Sequence, residues 1–174
     1  MDAWINRMQQ GTGRIRTAGL LAALFCFGVS SAEAQRADTA PEKPGEVIAY
    51  SSGGNAAVAL PPVSWRIQNS AFANGCLVIW QAEPFALQGK PAIKADCDLS
   101  VMLEAGTPVA EWKAVTPHAS TLLSKGKNRA VVEVASARRG NARVLIQVQL
   151  IPQNQHPLAA GRYSTTVTGT VTGL

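Results

Sequence analysis

Three groups of side chains in this 174-residue chain have the types and spacing to do chemistry: a pair of cysteines, a pair of carboxylates and a run of cations. Asp96 and Asp98 flank Cys97, and on a strand the period of two sets both on the face opposite the thiol. Such a pair holds a cation weakly, or lines a wet strand edge. Lys125, Lys127, Arg129, Arg138, Arg139 and Arg143 fall within 19 residues and are opposed only by Glu133. That density attracts an anionic polymer or surface by long-range steering, or it keeps loops soluble. His118 and His156 each sit beside a proline in a loop-like stretch, far from other metal ligands. No Gly-rich phosphate loop, nucleophile elbow or zinc-protease histidine pair occurs. The expectation is a chain with no catalytic site, metal or cofactor.

How Cys76 and Cys97 behave depends on compartment. Arg7, Arg14 and Arg16 precede a 12-residue apolar run, Ala18 to Val29, and Ala32-Glu33-Ala34 supplies a small-x-small cleavage pattern. This is the grammar of a secretory signal, and the run is well short of the roughly 20 residues that span a bilayer. A signal over residues 1–34, cleavage near Ala34 and export to the periplasm or cell surface without a transmembrane anchor are therefore expected. Loss of Cys26 with the leader would leave Cys76 and Cys97 as an even pair in an oxidising compartment. That favours a disulfide; two buried free thiols are the alternative. Export also argues against nucleic acid as a partner, and the cationic run lacks interleaved aromatics.

The remaining 140 residues suffice for one domain, with 13 Lys/Arg against 9 Asp/Glu, a formal +4. Residues 35–62 are polar and small, punctuated by Pro41, Pro44 and Ser51-Ser52-Gly53-Gly54, and predict a flexible extension. Its two apolar patches, with Val47 and Ala49 in one and Val58 and Leu60 in the other, could supply a strand to a neighbour. From residue 63 onward the pattern alternates. Val63, Trp65 and Ile67 predict a first core strand, and Asn74-Gly75 a turn into an apolar strand from Cys76 to Trp80. Leu99, Val101 and Leu103 share a face. Val109 to Val115 forms a further strand candidate, and only Ala119 to Leu123 hints at helix.

Arg138-Arg139-Gly140-Asn141 resembles a hairpin tip, followed by a return strand with Val144, Ile146, Val148 and Leu150 inward. In the closing segment, Tyr163, Thr165, Val167, Gly169, Val171 and Gly173 take one parity while Ser164, Thr166, Thr168, Thr170 and Thr172 take the other. Six to eight short strands at this spacing predict an all-β sandwich over residues 63–174. Trp65, Trp80 and Trp112 are expected core anchors.

The segment VQLIPQNQHPLAAGRYSTTVTGTVTGL resembles the end of bacterial pilin-type subunits, in particular the secreted spore coat protein U group. The likeness rests on Gly161, Tyr163, Val167 and Val171, a Gly-x-Tyr motif followed by an alternating Thr/Val strand. Thr165 and Gly173 stand where that group commonly has an acidic and an aromatic residue. The resemblance implies an incomplete immunoglobulin-like sandwich, assembled by a periplasmic chaperone and an outer-membrane usher and completed by a neighbouring subunit's N-terminal extension. It also implies a cysteine bridge near the start of the domain, a role open to Cys76 and Cys97.

The resulting expectation is a non-catalytic structural or adhesive subunit of a fimbria-like assembly, with contacts through Val47, Ala49, Val58, Leu60, Tyr163, Val167 and Val171. A monomeric periplasmic or surface module that holds an anionic glycan on the basic hairpin is the second expectation.

Overall fold

The computed structural model describes residues 37–41, 47–153 and 157–174. The predicted leader with its cleavage point, and His156, lie outside the described residues. Among the described residues thirteen strands follow one another. They are β1 (Ala37–Pro41), β2 (Val47–Ser51), β3 (Val58–Ala59), β4 (Val63–Asn69), β5 (Cys76–Ala82), β6 (Phe85–Leu87) and β7 (Lys90–Gly106). After them come β8 (Lys113–Thr116), β9 (His118–Ser120), β10 (Ala130–Ala135), β11 (Gly140–Ile151), β12 (Gly161–Thr165) and β13 (Val167–Gly173). Among the described residues no helix is long and apolar enough to cross a membrane.

Alternation in the sequence sets which face of each strand is dry. In β11, Val144, Ile146, Val148 and Leu150 are buried while Arg143 and Gln147 are exposed. In β5, Cys76, Val78, Trp80 and Ala82 point inward, and β10 matches them with Val132 and Val134. The strands form two antiparallel sheets. The larger runs β1-β4-β11-β7-β6-β12-β2, with β3 added on β11 and β9 on β7; the smaller runs β13-β5-β10-β8. Their dry faces pack together as a β-sandwich. Trp65 from the large sheet meets Trp80 from the small one edge-to-face, at 6.2 Å between centroids and 82° between planes. That geometry suits the ring quadrupoles. Trp112 is half-buried and packs under Gly106.

Three local expectations change. Ala119 and Ser120, in the stretch that hinted at helix, belong to β9, and a 3-10 turn falls only at Leu123–Lys125. The chain from Val109 does not run on as one strand: Pro108–Ala110 is a 3-10 turn, Glu111 adopts a left-handed φ of 54°, and β8 starts only at Lys113. Pro108 has no N–H to give a ladder and suits a turn start instead. The Arg138–Asn141 turn is not a hairpin tip. β10 pairs with β5 and β8, whereas β11 pairs with β4 and β7, so this turn carries the chain from one sheet to the other. Ser136 and Ala137 donate to the carbonyls of Cys76 and Ala110 on the way, which fixes the crossing.

The disulfide expected between Cys76 and Cys97 does not form; both cysteines are free and buried. They lie on different sheets near opposite ends of the sandwich. Cys97 pairs beside Leu150, late in β11, whereas the Cys76 amide binds Ser136 Oγ at 3.1 Å, just before the crossing that leads to Gly140. Ten residues of β11 separate those levels, roughly 30 Å at the ordinary rise of a strand. A bridge needs Cα atoms within about 7 Å. Burial raises both thiols: Cys97, with Asp98 and Asp96 adding like charge, is pushed up to about 12, and Cys76 rises by burial although Ser136 pulls it back in part. Since the thiolate is the reactive form, iodoacetamide at neutral pH should leave both unmodified in the folded protein and modify both in denaturant. Peptide mass spectrometry reads this, and labelling of either in the native state would contradict the packing.

Candidate functional site

Each expected site residue has a defined place. The basic run splits. Lys125, Lys127 and Arg129 precede β10, while Arg138 and Arg139 follow it. A six-residue strand holds these two groups roughly 20 Å apart. Arg143 sits elsewhere, on the exposed face of β11 opposite Arg66 and 4.0 Å from Glu104 Oε2. The Arg139 guanidinium donates to the Ala71 carbonyl at 3.5 Å. The sequence cluster is therefore three separate places on the surface. Arg129 does reach a shallow hollow of about 140 Å³ lined also by Gln81, Glu83, Thr166 and Thr168. That is less than half the volume at which small-molecule sites begin.

The two carboxylates are tied to hydroxyl, amide and imidazole donors. Asp96 is buried, and its Oδ1 accepts from Thr121 Oγ1 and from the Leu123 amide, both at 2.9 Å. Asp98 Oδ1 accepts from Ser120 Oγ at 2.8 Å and from His118 Nε2 at 2.6 Å. Here a carboxylate gathers two donors. A nucleophilic relay needs the imidazole between hydroxyl and carboxylate, and in this trio Ser120 is tied to the acid instead. Among the described residues no group of three or more His, Cys, Asp or Glu is placed to hold a metal.

The two apolar patches of the extension are engaged within the chain. β2 pairs with β12, Val47 opposite Thr165 and Ala49 opposite Tyr163, and Ala49 is buried. Val58 pairs with Leu150 on β11, and the Leu60 amide donates to the Val148 carbonyl at 3.0 Å. Tyr163 is fully buried, with its hydroxyl donating to the Ala159 carbonyl at 3.2 Å.

β13 is the last strand of the small sheet. It pairs with β5 from Val167↔Ala82 to Gly173↔Cys76 and ends the small sheet on its other side. The parity of its hydrogen bonds follows from its ends: the Glu83 amide donates to the Thr166 carbonyl, and the Leu174 amide to the Gly75 carbonyl. Even-numbered residues therefore bond to β5. The peptide groups of Val167, Gly169, Val171 and Gly173 point away from it, as alternation in an antiparallel ladder requires.

Edges of this kind are usually blunted by charge, proline, bulges or shortness. β1 has Asp38 and Pro41 in five residues. β8 has Lys113 in four residues, with a register irregularity on β10. β13 has seven residues and neither charge nor proline. Its inward residues Val167 and Val171 are only half-buried, unlike Val78 and Val134 on the flanked strands, which have no exposure.

Facing β13 from the large sheet is β1. Its Thr39 methyl abuts Gly169, where a Cβ would lie 2.9 Å from Thr39 Cγ2 and Trp80 Nε1 and 3.0 Å from Trp65 Cζ3. Glycine is what lets these three side chains close the flank. The closure is imperfect, since Thr39 Oγ1 and Trp80 Nε1 are buried without a hydrogen-bond partner among the described residues. On the opposite flank the chain itself joins the sheets, as β8 leads through Pro117 to β9, with the Val101 amide donating to the Pro117 carbonyl. The open β13 edge was half legible in sequence: alternation gave its faces, but nothing in it told that the strand ends a sheet. Comparison of the chain with protein-family models, curated proteins and solved structures gives no match.

Proposed function

We propose that the protein is an exported, non-catalytic structural or adhesive subunit of a fimbria-like surface assembly, built on an immunoglobulin-like, pilin-type sandwich and joined to its neighbours by strand addition. The observation that carries this reading is the uncharged, proline-free outer edge of β13, with main-chain groups that an added strand would pair. The loosely satisfied contact of Thr39 on Gly169 lowers the cost of moving β1 aside, because a buried hydroxyl without a partner contributes a desolvation penalty. In this reading the N-terminal segment that includes β1 is the exchanged element, with a periplasmic chaperone and an outer-membrane usher as partners that guard the edge before assembly.

Size analysis of the exported protein tests it. A ladder of oligomers larger than dimers is expected, and deletion of residues 37–41 should abolish it. A chain that never exceeds a dimer, with or without an added peptide spanning residues 35–60, overturns the reading.

A further inference from the structure

Residues 166–172 of the chain read Thr-Val-Thr-Gly-Thr-Val-Thr, the same in both directions, with Gly169 at the centre. The palindrome lies almost wholly on β13, and its central residue is one whose peptide groups point out of the sheet. Those facts are independent, one a matter of sequence and the other of hydrogen-bond parity. They meet in one arrangement. Antiparallel pairing of two such edges about Gly169 places each residue opposite one of its own type, and two-fold symmetry repeats each of those contacts.

We propose that the protein pairs with a second copy of itself through β13, edge to edge and antiparallel, with Gly169 facing the partner's Gly169 on the two-fold axis. Val167 then faces the partner's Val171 and Thr168 the partner's Thr170, joining two four-stranded sheets into one of eight. The outward peptide groups of Val167, Gly169 and Val171 exchange about six main-chain hydrogen bonds across the axis. On the core side, the half-buried valines of the two copies cover one another; on the wet side, threonines meet threonines, a favourable cross-strand pair. Centring on Gly169 gives the longest like-with-like overlap that β13 permits. No charge on the strand opposes the approach. The inference rests on the reading that this edge accepts a strand, and names the partner that takes it while β1 stays on its own β4.

Thr168 and Thr170 are exposed, so changes there test the pairing without disturbing the core. Their even parity makes the Thr168–partner's Thr170 pair a non-hydrogen-bonded one, with Cα atoms about 4.5 Å apart and within the span of a disulfide. The experiment uses the full chain expressed with its leader and recovered after export. A mixture of Thr168→Cys and Thr170→Cys proteins should give an oxidised heterodimer, at least tenfold more than either protein alone. The smallest wild-type species should be a dimer. Thr168→Lys with Thr170→Lys sets like charges opposite each other and should halve its mass, while Thr168→Lys with Thr170→Glu should restore it. A monomeric wild type, a dimer indifferent to the double lysine variant, or cross-linking as efficient in the single proteins overturns the proposal. A ladder without the 168–170 cross-link leaves strand addition standing and removes self-pairing; the cross-link without a ladder does the reverse.

Discussion

Replacing Trp80 with alanine should cost about 3–5 kcal/mol of folding free energy, the range for a fully buried aromatic. Its exposure is 0%, and it lies on β5 between Val132 of β10 and Gly169 of β13. Across the sandwich it meets Trp65 edge-on. The site cannot collapse onto the space left behind. Gly169 has no side chain to swing in, and the neighbour from β1 is only a threonine. With a total stability of about 5–15 kcal/mol for a domain, one substitution removes much of the margin. Urea unfolding reads the change as a fall in midpoint. A loss within the roughly 0.5 kcal/mol typical of surface changes would contradict the packing described.

Gly75→Ala should be comparably severe for another reason. Gly75 has φ +93°, and a Cβ there would lie 2.0 Å from the Ser136 carbonyl oxygen and 2.7 Å from its carbon. The obstruction is backbone that must stay in place, because the Ser136 amide bonds to Cys76. The left-handed conformation costs roughly 1–2 kcal/mol and the overlap about 1–3 kcal/mol more. Gly89 isolates the first part, since it has φ +79° with nothing within 4 Å of its Cβ position. Gly89→Ala should lose only that conformational share. Equal losses at the two positions, measured by thermal or urea unfolding, would show that the Ser136 carbonyl is not the obstacle.

Both sites show what the sequence could convey. The strands around Trp80 announce themselves through alternation, because a residue with one dry side must repeat every second position. The same physics made β11 and β13 readable, including the inward Val144 to Leu150 set and the outward Thr168, Thr170 and Thr172. Asn74-Gly75 was readable as a turn because a left-handed position favours glycine.

Sheet membership was not readable. Arg138–Asn141 has the residues of a tight turn, and a turn that re-enters the same sheet uses the same chemistry as one that crosses to the other. Counting cysteines gave an even pair but no distance, and Cys76 and Cys97 lie at different levels of different sheets. The basic run looked like one patch because sequence proximity ignores a strand; β10 intervenes and carries its two halves apart. β1, with the sequence ADTAP, has almost no apolar signal. Main-chain pairing to β4 and a threonine methyl resting on a glycine help to hold it, and composition records neither.

The meeting of Thr39 with Gly169, like that of Val47 with Thr165, also fixes an order in time. Ribosomes deliver position 39 long before position 169, so the earliest strands have no seat while the rest of the chain is being made. Folds dominated by such distant partners close slowly, and their seams stay bare until the late residues arrive. On the proposed reading that the chain is exported, translocation in an unfolded form would cost such a molecule little, since a nascent chain has nothing finished to dismantle. The hazard comes afterwards, in the interval when many complete but unclosed copies share one compartment.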